Sequence, residues 1–372
     1  MQKGIPYMHF RGGSSKGIFF KTTDLPFDED ERNKIAITAM EGTLEGDVRQ
    51  TDGLGGGSSL TSKVALVGPS LLPNADLDYL FLQVIIGKGK VATVQTCGNI
   101  LAGVLPFAIE SGMFNAQHPI TAVRIHMVNT GGICEVIVQT PYFKVNYAGN
   151  AKIDGVMGTS APIICNYLET VGSTCGALLP TGNSVDTING VTVTCIDNGM
   201  PVVLLRAKDL GVNGDESKET LEANDVLKQK IEQIRLQAGK LMNLGDISDQ
   251  TIPKMCLISP PMQGGTLSTR MFIPHVVHDA IGVLAAVSVA SACIVSQTVT
   301  DGIANFENGA KLFSIEHPSG VFTVSLDYEL TEGNVKIIKS GVIRTARLIS
   351  KGEVFIPDFN ANNAKSYYNR FF

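Results

Sequence analysis

The segment Met8-His-Phe-Arg-Gly-Gly-Ser-Ser-Lys-Gly-Ile-Phe-Phe20 reads as an early strand with a Gly-Gly-Ser-Ser turn, and a similar pattern returns at Val193-Thr-Cys-Ile-Asp-Asn-Gly-Met-Pro-Val-Val-Leu-Leu205. Two further pairs line up behind it. Cys97-Gly-Asn-Ile-Leu-Ala-Gly-Val and His278-Asp-Ala-Ile-Gly-Val-Leu-Ala each open a helix of small residues, and each is followed by strands paired around a polar turn, Asn129-Thr-Gly-Gly132 and His317-Pro-Ser-Gly320. Ordered self-similarity of this kind points to duplication. It predicts two similar domains, residues 1–184 and 185–372, divided at the loop Pro180-Thr-Gly-Asn-Ser-Val-Asp186, with the last residues a tail or returning to domain 1.

Outward from these repeats, β-branched runs such as Val91–Thr96, Ile120–Val128, Ile133–Thr140, Val191–Ile196 and Val321–Leu326 alternate or run apolar as strands do. Helical patterns are fewer and cover Asp28–Met40, Asn99–Ser111, Leu221–Met242 and His278–Val295. Strands outnumber βα alternations, so the expected class is α+β. With 372 residues, 44% hydrophobic and 17% charged, the chain has enough apolar surface for two packed domains.

A net charge of −5 without a Lys or Arg run gives no footprint for nucleic acid, and the absence of Trp argues against a base-stacking platform. The apolar run Ala280–Val295 is too short for a membrane span and reads as a core helix. No apolar signal follows Met1. The odd number of cysteines, seven, scattered without CxxC spacing, fits free thiols in a reducing cytoplasm. No partner beyond a small molecule is implied, although a homodimer is the commonest soluble assembly.

The residues suited to chemistry lie in Asp52-Gly-Leu-Gly-Gly-Gly-Ser-Ser-Leu-Thr-Ser-Lys63 and Cys97-Gly-Asn99. Lys63 ends a Gly-rich segment, as in phosphate loops, but Ser62 and Val64 stand where such loops require Gly and Ser or Thr, so nucleotide binding is not expected. A thiol at a helix N-terminus becomes a usable thiolate base, which singles out Cys97, with Gly98 and Asn99 allowing close approach of a ligand. Two small-residue helices opening on a common cleft would offer backbone N–H groups to two carboxylates. Ser14 and Ser15 of the first turn, Ser58 and Ser59 of the Gly-rich loop, and Arg270 are further carboxylate donors. His278, aligned with Cys97 by the repeat, is a rival acid/base. His275-Val-Val-His278 lacks the carboxylate or Cys neighbours of a metal site, and neither metal nor cofactor is expected.

These residues resemble the PrpF-like isomerase family along nearly the whole chain. The carriers are Arg11-Gly-Gly-Ser-Ser-Lys-Gly17, Asp52-Gly-Leu-Gly-Gly-Gly57, Leu60-Thr-Ser-Lys-Val-Ala65, Cys97-Gly-Asn99, Asn129-Thr-Gly131, Lys152-Ile-Asp-Gly155 and Ile343-Arg-Thr-Ala-Arg347. The resemblance implies a diaminopimelate-epimerase-like fold, two pseudo-symmetric domains each with a mixed sheet wrapped around a central helix, the substrate between them, and Lys63 and Cys97 as the implicated pair. The implied reaction is a cofactor-independent 1,3-allylic proton shift in an unsaturated di- or tricarboxylate, 4-oxalomesaconate-, aconitate- or methylitaconate-like. Which of Cys97 and Lys63 takes the first proton stays open at this level. The alternatives are an epimerase or racemase of the same fold, whose second cysteine is replaced by His278, and a carboxylate-binding protein without turnover.

Overall fold

The computed structural model describes residues 2–93, 96–248, 250–273, 276–331 and 334–357. The chain forms two compact units, one from the described parts of Met1–Lys152, Gly158–Ile163 and Arg344–Phe372, the other from Ile153–Met157 and Ile164–Ile343. The division therefore does not fall at the Pro180–Asp186 loop. Residues after Ile163 are tied into the second unit: Gly172 N–H donates to Asp197 O at 2.9 Å, and the Asp197 carboxylate accepts the Thr174 and Cys175 N–H groups, each at 2.8 Å. The strand Ala346–Pro357 returns to the first unit, antiparallel to Gln2–Gly12.

In the first unit the strands lie in the order Gly132–Gln139, Ile120–Met127, Leu77–Ile85, Lys63–Pro69, Ser15–Lys21, Gln2–Gly12, Ala346–Pro357. The second runs Gly320–Thr331, Leu312–His317, Leu267–Ile273, Lys254–Ser259, Pro201–Arg206, Val191–Asp197. Across the first six strands of each, neighbours alternate antiparallel, parallel, antiparallel, parallel, antiparallel. The order of elements along the chain matches as well, so the repeat read from the sequence is present as a repeated topology.

The central strands Ser15–Lys21, Lys63–Pro69, Pro201–Arg206, Lys254–Ser259 and Leu267–Ile273 are buried on both faces, which explains why they are apolar at most positions, whereas Ile120–Met127, Gly132–Gln139 and Gly320–Thr331 alternate. In the first unit Ile18, Phe20, Val64, Leu66, Leu82 and Val84 pack with Ile35, Ala36, Ala39 and Met40 of an outer helix, Glu29–Glu41. That helix starts where Asp28 accepts the Glu31 N–H at 2.9 Å and ends at Gly42, φ 78°. Strand alternation sends Phe10 and Phe19 to the opposite face, where both rings meet Phe107 of the central helix Val104–Glu110. The second unit has the same layers, with Asp225–Leu241 outside and Val283–Ile294 in the centre.

Three helices differ from expectation. Asn99–Ser111 is broken into Gly98–Leu101 and Val104–Glu110, because Pro106 has no N–H for the Ala102 carbonyl and Gly103 lies against Phe19, where a Cβ would approach its ring to 2.7 Å. Leu221–Met242 is interrupted at Asn224, whose side chain accepts the Leu227 N–H at 3.0 Å and starts a new helix. The second small-residue helix begins at Val283 rather than His278, since Val276–Val277 still pairs with Phe272–Ile273 and His278 N–H still donates to Met271 O at 2.8 Å. Among the described residues no helix is long and apolar enough to cross a membrane.

Candidate active site

Lys63 opens its strand between Gly17 on the parallel neighbour and Gln83 on the antiparallel one. Gly17 is required for this approach, as a Cβ there would lie 2.4 Å from Lys63 O. Only 8% of Lys63 is exposed, and its ammonium donates to Gln83 Oε1 at 2.7 Å and lies 5.1 Å from the centre of the Phe81 ring. Gln83 is held in the orientation that presents its oxygen, because its Nε2 donates to Ser62 O at 3.0 Å and Ser59 O at 3.2 Å. Among the described residues no carboxylate lies within ion-pair distance of Lys63. A buried cation without a counter-ion is costly. One amide oxygen and one ring face offset part of that cost, and an anionic ligand would supply the rest.

The Gly-rich loop before Lys63 is docked on the end of the outer helix: Leu54 N–H donates to Ala39 O and Gly55 N–H to Met40 O. Buried Gln50 organises it, its Oε1 accepting from Gly57 N–H and Ser62 Oγ, each at 2.8 Å. A Cβ on Gly55 would meet that oxygen at 2.0 Å. Ser58 and Ser59 are exposed. The Ser58 hydroxyl pairs with Thr61 at 3.0 Å, whereas Ser59 reaches the lysine's surroundings through its carbonyl on Gln83.

Cys97 stands at the N-cap of the single turn Gly98–Leu101, its carbonyl accepting from Leu101 N–H at 2.9 Å and from the Tyr79 hydroxyl at 3.2 Å. The turn's brevity leaves little macrodipole to act on the thiol, so exposure is the stronger distinction. Of the seven free cysteines, Cys97 alone is not buried. Burial pushes the Cys175, Cys195 and Cys293 thiols up to about 12 and raises Cys256 as well, which keeps all four as thiols at neutral pH.

The Arg11–Ser15 turn meets this segment. Asn99 Nδ2 donates to Ser14 Oγ at 3.1 Å, and a Cβ on Gly12 or Gly13 would lie 2.5 Å from Asn99 O or 2.1 Å from Asn99 Oδ1. Among the described residues the Ser15 hydroxyl, in a residue 1% exposed, and the buried Thr96 hydroxyl beside Cys97 have no hydrogen-bond partner, which leaves both able to bond a ligand or water. The second unit's equivalent turn differs. Asn198 there satisfies its N–H and side chain internally, with Ser288, Ser291, Ser340 and Thr170, while Asp197 Oδ1 in the same turn has no partner among the described residues. Gly13→Ala is expected to shift the Asn99 segment and lower kcat/KM by about 100-fold with the fold retained; steady-state kinetics with circular dichroism checks both parts.

Thr96, Gln83, Phe81, Gln50 and Asn129 are neighbours of the site that the sequence alone does not mark as such. Asn129 clamps Phe81, accepting from its N–H at 2.8 Å and donating to its carbonyl at 2.9 Å, and also donates to Thr93 O at 2.7 Å. Its presence in the Asn-Thr-Gly motif was the available signal. The motif residue Asp154 accepts the Val321 N–H and braces the turn at Gly320.

In the second unit Arg270 is 7% exposed and is anchored on carbonyls, Nε to Glu216 O at 2.8 Å and Nη1 to Thr269 O at 2.9 Å; it pairs with Leu257 and so faces the outer layer rather than the central helix, and Glu216, Asp215 and Glu316 are the carboxylates acting on it, which does not place it as the carboxylate donor expected from the sequence. His278 is half-buried, and its Nδ1 accepts the Ala280 N–H at 2.8 Å. The N-cap of the central helix, the position matching Cys97, is Gly282. His278 is thus not the topological counterpart of Cys97. His275, the other member of the HxxH spacing, lies outside the described residues.

The family model described as PrpF protein matches residues 2–357, and the chain belongs to that family. It is an isomerase of the diaminopimelate-epimerase-like α+β fold. It is 50% identical over 356 residues to the 4-oxalomesaconate tautomerase of Pseudomonas putida, covering 95% of this chain and 97% of that protein. It is 49% identical over 352 residues to the (4E)-oxalomesaconate Delta-isomerase of a Novosphingobium strain, covering 94% and 97% respectively. The crystal structure of a methylitaconate-delta-isomerase superposes with a TM-score of 0.84 at 33% identity, over 95% of this chain and 96% of that one.

Proposed function

We propose that this protein catalyses a cofactor-independent 1,3-allylic proton shift in an unsaturated tricarboxylate of the 4-oxalomesaconate class. The observation that carries the reading is Lys63, a buried cation with no carboxylate partner among the described residues, in the same unit as the only cysteine that is not buried. The substrate class is supported by the names of the two relatives above.

In this reading Cys97, as thiolate, takes a proton from the carbon activated by a carbonyl or carboxylate. The electron pair of that C–H bond moves into the adjoining π-system, the double bond migrates, and the thiol returns a proton to the far carbon. The Lys63 ammonium stabilises the negative charge that collects on oxygen in between. An amide oxygen and a ring face as neighbours suit Lys63 to this electrostatic task rather than to proton removal. Gly98, Asn99, Ser14, Ser15, Ser58 and Ser59 are the candidates for binding substrate oxygens on the first unit, and His278 is the carboxylate-donor candidate that the second unit carries on its central-helix face. An epimerase with two opposed acid/base side chains at the helix starts has less support, because Gly282 offers none. A cytoplasmic location accompanies the reading on the strength of the free thiols, and a homodimer is expected.

Proton NMR in deuterium oxide, with 4-oxalomesaconate, cis- and trans-aconitate and methylitaconate, tests the reaction. Double-bond migration or keto–enol conversion with deuterium uptake is expected for at least one of them, foremost 4-oxalomesaconate. Inversion at one carbon with the double bond in place would instead mean an epimerase, and saturable binding without solvent exchange would mean a binding protein.

A further inference from the structure

The repeated topology gives Lys63 a counterpart. Lys63 is paired with Gly17 at the start of the third strand of its unit, and Lys254 is paired with Val202 at the start of the corresponding strand of the other. The registers agree on both sides: Val64 faces Leu82 as Met255 faces Phe272, and Phe10 faces Gly17 as Ile196 faces Val202. Facing direction agrees too. Met255, Leu257, Phe272 and Val277 pack in the outer layer with Leu227, Ile231 and Ile234, so strand alternation turns Lys254 and His278 to the other face, the one that carries the central helix.

Lys254 is half-buried, and among the described residues it has neither a hydrogen-bond acceptor nor a carboxylate within ion-pair distance. The charged group acting on it is Arg235, of the same sign, whose own guanidinium is committed to Glu232 at 2.7 and 2.8 Å and to the carbonyls of Ile247, Gln250 and Ile252. His278 adds a donor of another kind. Its Nδ1 is occupied as an acceptor by the Ala280 N–H, so the neutral ring carries its proton on Nε2. Burial, Lys218 and Lys254 oppose a charge on the ring while Asp279 favours it, and the balance lies below the ordinary imidazole value. Lys218 is itself paired with Asp279 at 2.9 Å, which leaves Lys254 as the free ammonium of the group.

We propose that Lys254 and His278 form a carboxylate-binding subsite on the second unit, the Lys254 ammonium supplying the charge and the His278 Nε2–H a neutral hydrogen bond. His278 then holds an oxygen and carries no proton in the reaction. The inference deepens the functional reading above and rests on it for the identity of the carboxylate as one of the substrate's own.

The test is isothermal titration of the full chain with tricarballylate, a saturated tricarboxylate that has no double bond to move, alongside turnover of 4-oxalomesaconate. Lys254→Met is expected to weaken tricarballylate at least tenfold and raise KM by a similar factor, with Lys254→Arg restoring both to within about threefold of wild type, since a second cation suits the same anion. His278→Gln, which keeps an N–H donor, is expected to bind better than His278→Phe. Unchanged tricarballylate affinity in a folded Lys254→Met protein, or no binding by the wild type, would overturn the subsite. Lys254-dependent binding by a wild-type protein that isomerises none of the acids would leave the subsite standing and remove the isomerisation reading instead.

Discussion

Cys97→Ser is expected to lower kcat by about 10³-fold while KM moves by less than about threefold, the signature of a lost proton carrier rather than a lost binding group. The serine hydroxyl has nearly the size of the thiol but is ionised to a negligible extent at neutral pH, so the substitution removes the base and preserves the shape. Both backbone bonds at the position, from Leu101 N–H and the Tyr79 hydroxyl, end on the carbonyl, so the segment keeps its place. Deuterium exchange followed by NMR reads the effect on the chemical step directly. Cys97 being the one cysteine of seven that is not buried, limited alkylation should label it first and remove activity in proportion, with tricarballylate slowing the labelling. Turnover within tenfold of wild type in Cys97→Ser would assign the proton to another group.

Lys63→Met should move activity and stability in opposite directions. Loss of the charge that faces the developing oxyanion is expected to reduce kcat/KM by about 10²- to 10³-fold. The same change removes a buried ammonium with one amide oxygen and a ring for company and replaces it with an apolar chain of similar length, which should raise the urea midpoint and Tm. A group kept at the expense of stability is characteristic of a functional site. Parallel urea titrations and steady-state kinetics separate the cases. A drop in stability with activity retained would make Lys63 a structural residue that Gln83 and Phe81 merely accommodate.

Both experiments depend on features of unequal visibility in the sequence. Lys63 and Cys97 stand out locally because glycine and hydroxyl residues crowd around them. Gln83 does not, since its importance comes from being opposite Lys63 across a strand pair, with Phe81 two residues earlier on the same face. Thr96 looked like the end of a strand, and only its unsatisfied hydroxyl next to Cys97 marks it. Arg270 reads in the sequence as a carboxylate donor, but its outward facing beside Leu257 and its anchoring on the Glu216 and Thr269 carbonyls required the fold.

Local chemistry written in the chain determined the elements and their repetition. Asp28 and Gly42 bound a helix, the Gly-Gly-Ser-Ser and Asp-Asn-Gly turns fold strands back, and apolar runs mark the central strands, which are covered on both faces. These signals act over a few residues and survive without tertiary context. Tertiary structure decided what depends on distant partners: where along the chain the two units divide, the return of Ala346–Pro357 to Gln2–Gly12, and the four-residue delay that puts Gly282 rather than His278 at the second helix start. It also matched Lys254 with Lys63. Strand register is fixed by pairing between segments far apart in the chain, and no local pattern reports which residue a strand will face.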